Sequence, residues 1–182
     1  MTVLTTTRLT LRRITNDDAP FLIALLNDPS FIRYIGDRHV RTMDDAFRYI
    51  ADGPASSYER FGFGLWLVTL MDSQQPIGIC GLLKRDALPH VDLGFALLPE
   101  FRAQGYAQEA ARGVLDYARD ELVLSRVIAV VQADNERSLR LLQALGFASE
   151  GQARLSADGP ELLLLGINLA TKAAADLPAG RP

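Results

Sequence analysis

The sequence predicts a mixed α/β (α+β) domain built on one twisted sheet of about seven strands, with helices on both faces. Three observations carry this expectation. Apolar residues alternate or run through three successive segments, 63–71, 77–83 and 91–98, joined by short polar turns, as consecutive antiparallel strands require. A helical stripe over 105–122 then separates them from a further strand at 126–132. Finally, 182 residues with 48% hydrophobic and 23% charged composition suit a single folded unit with a substantial core. The domain is expected to span 1–171, and the alanine- and proline-rich end, 172–182, is expected to be a disordered tail.

In chain order, 7–13 alternates with Leu9 and Leu11 on one side and reads as a half-buried strand. Thr15, Asn16 and Asp17 favour a helix start, and Pro20 fits only its first turn. That helix runs to about residue 26 on Phe21, Leu22, Leu25 and Leu26, and Asp28-Pro29 interrupts it. A short helix over 31–35 ends before Gly36. Thr42 caps a third, 43–52, expected to bury Met43, Ala46, Phe47 and Ile50. Gly53-Pro54-Ala55-Ser56-Ser57 reads as a loop. The segment 63–71 is apolar on both faces and hence a central strand, with Trp66 and Phe63 in the core.

Helix 105–122 places Ala107, Ala110, Ala111, Val114, Leu115, Ala118 and Leu122 on one face, with small residues near its start to let it lie close to a sheet. Asn135 is a credible N-cap and Gly146 a credible C-terminal stop for a helix over 136–145. Two strands, 147–152 and 161–169, close the chain around the turn Ala157-Asp158-Gly159-Pro160.

Several function classes drop out early. A net charge of −3 gives no bulk attraction to nucleic acid. The lone Cys80 has no disulfide partner and reads as a small buried hydrophobe; His39 and His90 lack a second ligand at metal spacing, so no metal is expected. Apolar runs are broken well short of a membrane span, and residues 1–14 lack the apolar core of a signal peptide, so a cytoplasmic location is expected.

The most informative spacing is Arg102-x-x-Gly105-x-Ala107, between the strand ending at Pro99 and the long helix. A strand leading through a glycine turn into a helix start aims successive N–H groups outward, with the positive end of the helix dipole behind them, and so suits a phosphate. No Gly-Lys-Ser/Thr follows, so this is not a Walker A loop, and Gly62-Phe63-Gly64 does not continue as a dinucleotide fingerprint. Taken alone, the spacing also suits an ordinary strand–helix turn.

Its neighbours add to it: Asp92-Leu93-Gly94-Phe95 upstream, Asn135-x-x-Ser138 and Leu145-Gly146-Phe147 downstream, and Arg8-Leu9-Thr10-Leu11-Arg12 with Asp17-Asp18-Ala19 at the start. Together these resemble the GNAT superfamily of acetyl-coenzyme A-dependent N-acetyltransferases, over roughly residues 7–169. The likeness is greatest to the branch that acetylates N-terminal amines of ribosomal proteins.

The resemblance implies a donor, acetyl-coenzyme A (acetyl-CoA), lying between two diverging central strands. Backbone groups of Phe95, Ala96, Leu97 and Leu98 would pair with its pantetheine arm and polarise the thioester carbonyl. Backbone N–H groups of Arg102, Ala103, Gln104, Gly105, Tyr106 and Ala107 would hold its pyrophosphate. Asn135 would contact the pantetheine amide, and Ser138 would lie near the sulfur or the phosphates. Asp92 stands where relatives usually carry Glu, as a base acting through water on the incoming ammonium; the plain alternative is a carboxylate that anchors a neighbouring loop. Relatives often carry a Tyr, seven residues after the Asn, that protonates the departing thiolate. Here that position is Leu142, which leaves Ser138 or solvent for the task. Asn135 and Ser138 are equally explained as a helix cap and a first-turn hydroxyl.

Arg33, Tyr34, Asp37 and Arg38 fall in the region that lines the acceptor site in similar proteins, although a solvated loop is the simpler reading. The implied reaction is direct transfer of acetyl to a primary amine, of a protein or peptide N-terminus or of a small molecule, with no metal, nucleic-acid or membrane partner. A homodimer is open by analogy. The departures at Asp92 and Leu142 also leave room for a non-catalytic acyl-CoA-binding or sensing module, or an interaction domain that binds no coenzyme A at all.

Overall fold

The computed structural model describes residues 1–170; the expected tail at 172–182 lies outside the described residues. Eight strands form one sheet: β1 (Thr2–Thr5), β2 (Leu9–Arg12), β3 (Leu65–Leu70), β4 (Pro76–Leu83), β5 (Asp92–Leu97), β6 (Arg126–Val131), β7 (Ala148–Ala153) and β8 (Leu162–Asn168). Their spatial order is β1-β2-β3-β4-β5-β6-β8-β7, with β5 and β6 parallel and every other neighbouring pair antiparallel. Seven strands follow the sequence expectation. The eighth, β1, is a half-exposed threonine-rich edge strand with a bulge between Thr2 and Leu4, so it lacks an apolar face to announce it.

The helices are α1 (Ala19–Leu26), α2 (Pro29–Tyr34), α3 (Met43–Ile50), α4 (Ser56–Phe61), α5 (Tyr106–Asp120) and α6 (Glu136–Leu145). Alternation along the central strands divides the core in two. Trp66, Val68, Cys80, Leu82, Leu93 and Leu97 meet Ala110, Ala111, Val114 and Leu115 of α5 and Leu142 of α6. Leu67 and Ile79 face the other way, onto Leu22, Leu25 and Leu26 of α1, Phe31 of α2 and Ala46 and Ile50 of α3. Trp66 and Phe63 are core residues, with the Trp66 indole edge-on to Tyr117 of α5 at 5.3 Å.

Two expectations are corrected. The expected loop at Gly53-Pro54-Ala55-Ser56-Ser57 is helical: a wide turn over Ala51–Ala55 leads directly into α4. Pro54 has no N–H to give, and the turn passes it by bonding the Ser56 N–H to Ala51 O. In α3, Ala46 and Ile50 are buried as expected, but Met43 and Phe47 occupy the neighbouring stripe and remain about two-fifths exposed, at 41% and 37%. Cover from α1 reaches only one stripe of this short helix.

Local signals account for the helix ends. Thr42 accepts from the Asp45 N–H at 3.1 Å while Asp45 accepts from the Thr42 N–H, a capping box that opens α3. Asn135 Oδ1 accepts from the Ser138 N–H at 3.2 Å, and Gly146, with φ +99°, ends α6.

Candidate functional site

The sheet is split along its middle. β5 and β6 share one register pair, Asp92 with Ile128, where the Ile128 N–H bonds to Val91 O at 3.0 Å; beyond that pair no register joins them. In an antiparallel pair, successive residues turn their backbone groups to opposite edges. Since the Leu98 N–H bonds to Ile77 O of the β4 segment, Ala96 and Leu98 face β4, whereas Phe95 and Leu97 present their N–H and C=O to the gap. Of the four residues expected to pair with an extended ligand, two therefore offer backbone to it.

Beyond β5 the chain makes the turn into α5. Phe101 N–H bonds to Leu98 O and Arg102 N–H to Pro99 O, so Arg102, one of the expected N–H donors, has its own already committed. Ala103 and Gly105 then take left-handed conformations, φ +58° and +82°, and the first bond of α5 is Glu109 N–H to Gly105 O at 3.0 Å. Among the described hydrogen bonds none takes the N–H of Ala103, Gln104, Gly105, Tyr106, Ala107 or Gln108. These are the donors a helix start leaves over, and here the loop adds to them. Gly105 is exposed, and a Cβ there would meet only Arg8 Nη2, at 3.2 Å. Gln108 joins the group although the sequence motif ends at Ala107; its place in the first turn of α5 is the signal that marks it.

The Arg102 side chain has a different task. Its Nε donates to Leu97 O at 2.9 Å and its Nη2 to Asp28 Oδ1 at 2.6 Å. Asp28 in turn accepts from the N–H groups of Ser30 and Phe31 and from the Ser30 hydroxyl, capping α2. These donors hold its carboxyl below the usual carboxylate range against the opposing effect of burial. Asp28-Pro29 thus ends one helix and caps the next, with Pro29 in the first turn. At the far end of α2, Gln132 Nε2 donates to Arg33 O at 2.9 Å and Arg33 pairs with Asp134 at 2.8 Å. α2 is therefore tied to the end of β5 on one side and to the segment after β6 on the other.

Asp92 is 1% exposed, on the strand face that carries Gly94 and Ala96. Burial raises its pKa to about 6, against the pull of the Arg85 guanidinium, whose Nε donates to both carboxylate oxygens at 3.0 and 3.2 Å. Arg85 comes from the loop between β4 and β5, so the carboxylate does anchor a neighbouring loop, while its raised pKa suits a proton acceptor near neutrality. Sequence reasoning missed Arg85. The half-buried Tyr49 of α3 feels the charges of both Arg38 and Arg85, and burial pushes its phenol pKa up. Asn135 acts as the α6 cap, Ser138 is half-buried three residues on, and Leu142 is a core residue at 1% exposure. Burial likewise raises the pKa of the Cys80 thiol. Among the described residues no group of three or more His, Cys, Asp or Glu could hold a metal, and no helix is long and apolar enough to cross a membrane.

The sheet is thus split at β5 and β6, with unpaired backbone N–H groups along one side of the gap and at the start of α5. Comparison with known proteins supplies the family. Residues 8–148 match the Acetyltransferase (GNAT) domain, and the chain belongs to this family of acetyltransferases. It is 34% identical over 154 residues to the uncharacterized N-acetyltransferase YoaA of Bacillus subtilis, covering 84% of this chain and 86% of that one. Among solved structures, an acetyltransferase from Agrobacterium tumefaciens superposes with a TM-score of 0.78 at 25% identity, covering 92% of this chain and 94% of the other. The ribosomal L7/L12 alpha-N-protein acetyltransferase RimL, solved in complex with coenzyme A, shares the fold with a TM-score of 0.77 at 15% identity, covering 93% and 98%.

Proposed function

We propose that this acetyltransferase moves an acetyl group from acetyl-CoA to a primary amine by direct attack within a ternary complex. The observation that carries the reading is the run of unpaired backbone donors, from Phe95 and Leu97 at the gap to Ala103–Gln108 at the start of α5. Bound acetyl-CoA would supply an activated acyl group as a thioester. Phe95 and Leu97 would pair with its pantetheine arm, and a fixed N–H at Leu97 would meet negative charge developing on the carbonyl oxygen. The donors of Ala103, Gln104, Gly105, Tyr106, Ala107 and Gln108 suit a diphosphate.

The acceptor would enter on the face that holds Asp92. Asp92 takes one proton from the incoming ammonium through a water molecule, the freed nitrogen forms a bond to the acyl carbon, and the carbon–sulfur bond breaks. The second proton leaves the nitrogen as the amide forms and, with Leu142 in the position of the family's Tyr, reaches the thiolate through Ser138 or solvent. Asn135, already a cap through Oδ1, keeps its amide NH2 for the pantetheine arm. The favoured acceptor is a peptide or protein N-terminus, in line with the alpha-N-protein acetyltransferase RimL, which shares the fold; small-molecule amines are the runner-up.

The test is a thiol-release assay with acetyl-CoA and a panel of N-terminal peptides, polyamines and aminoglycosides, with mass spectrometry of the products. Acetylation of a peptide α-amine is the expected result. Coenzyme A binding without thiol release across the whole panel would overturn turnover of these amines.

A further inference from the structure

We infer that Arg8 is a positioning residue for the phosphate end of the donor site, so that donor recognition depends on the nucleotide half of coenzyme A. The inference rests on the donor reading above. Arg8 lies just before β2, about a hundred residues from the turn it touches. Its Nη1 donates to Gln104 O at 3.1 Å and its Nε to Glu109 Oε2 at 2.6 Å. Its guanidinium lies 4.4 Å from the centre of the Tyr106 ring. Nη2 points at Gly105, where it would stand 3.2 Å from any Cβ. One planar cation thus contacts Gln104, Tyr106 and Glu109 and stands beside Gly105, along the segment 103–108 whose N–H groups are unpaired.

Glu109 fixes the other side of the clamp. Its Oε1 accepts from the Arg8 N–H at 2.8 Å and from the Thr6 hydroxyl at 2.6 Å, so the Arg8 backbone and side chain are both held by one carboxylate. These donors keep Glu109 below the usual carboxylate range despite partial burial. A bond to Gln104 O orients the peptide that carries the Gly105 N–H, and stacking on Tyr106 restrains the first residue of α5. The fork geometry is particular to arginine; a lysine could match the charge but not two in-plane hydrogen bonds and a stacked face at once. The Arg8 side chain is 44% exposed, so the fold does not depend on burying it.

Arg8→Ala and Arg8→Lys, compared with the parent protein, test this with two donors. One is acetyl-CoA; the other is S-acetyl-pantetheine, which keeps the thioester arm and lacks the nucleotide. With acetyl-CoA, Arg8→Ala should raise KM about tenfold with kcat within about twofold, as for loss of one charge-assisted contact, and Arg8→Lys should not restore it. Turnover of S-acetyl-pantetheine should be the same for all three proteins. Calorimetry with coenzyme A should show the same tenfold loss. Unchanged coenzyme A affinity in Arg8→Ala would overturn the inference and leave the donor reading standing. Equal losses with both donors would also overturn it, making Arg8 a general prop of the fold. A parent protein that binds no coenzyme A would instead remove the donor reading itself, and the role of Arg8 with it.

Discussion

Replacing Asp92 with Asn removes one buried charge while keeping the size of the side chain, and its effect on stability can be worked from the site. The carboxyl titrates at about 6 in the fold against an ordinary value of 3.8. Below the ordinary value both folded and unfolded chains carry the proton, and ionisation contributes nothing. Between the two values the unfolded chain has released the proton and the folded chain has not, so rising pH favours unfolding by up to about 1.4 kcal/mol per unit. Above pH 6 the penalty is complete, at roughly 3 kcal/mol for a shift of this size.

Asp92→Asn escapes that penalty. Urea unfolding of both proteins at pH 4, 5, 6 and 7 should show the variant gaining on the parent by about 2.4 kcal/mol across this range, with the gain levelling off above pH 6. A stability difference that stays flat, or runs the other way, would mean that Arg85 fully offsets the desolvation and that the carboxylate is an ordinary ion-pair partner. If Asp92 is the base of the proposed reaction, the acid limb of kcat/KM should fall near pH 6, with activity rising as Asp92 loses its proton. In Asp92→Asn the rate should fall by about 10²–10⁴-fold with coenzyme A affinity unchanged.

Arg102→Ala leaves the buried Asp28 carboxylate with fewer donors and Leu97 O with none from Arg102, and should cost about 2–3 kcal/mol by thermal or urea unfolding. Because the Asp28 pKa is lowered in the fold, this deficit is present above 3.8 and shrinks as pH falls through the lowered value. Gly105→Val forces a β-branched residue to φ +82° against Arg8, for about 1–2 kcal/mol of strain and weakened coenzyme A binding, read by calorimetry. Leu142→Tyr restores the residue type that the family often carries, but at a position 1% exposed in the core; a melting curve should show a loss of about 1–3 kcal/mol, with no gain in kcat.

Much of this architecture was legible because local patterns and tertiary needs agree. The strand before Pro99, the small-residue stripe of α5, and Asn135 and Gly146 at the ends of α6 each declare themselves within a few residues. The turn at Gly105 was legible for the same reason: its conformation is imposed by residue type and position. β1 was not, since a four-residue edge strand with only Val3 and Leu4 half-buried shows no alternating pattern. The helical run through Pro54 was hidden because the wide turn that accommodates proline leaves no mark distinct from a loop.

At the site, the gap between β5 and β6 is a property of pairing, and only the strand alternation reveals that Phe95 and Leu97 face it while Ala96 and Leu98 do not. Side-chain partners were least accessible. Arg85 on Asp92, Arg102 on Asp28 and Arg8 on Glu109 join segments that sequence spacing does not connect. Each partner is a surface-type residue whose role exists only once the sheet has brought it across.

The proposed donor site is made of backbone nitrogens, so the most direct measurement reads them one by one: amide chemical shifts of isotopically labelled protein during titration with coenzyme A. The largest changes should fall on Phe95, Leu97 and Ala103 to Gln108, with β1, β7 and the outer face of α3 left in place. Saturating coenzyme A that leaves those amides unmoved, or shifts concentrated elsewhere on the sheet, would contradict the assignment of this cleft as the donor site.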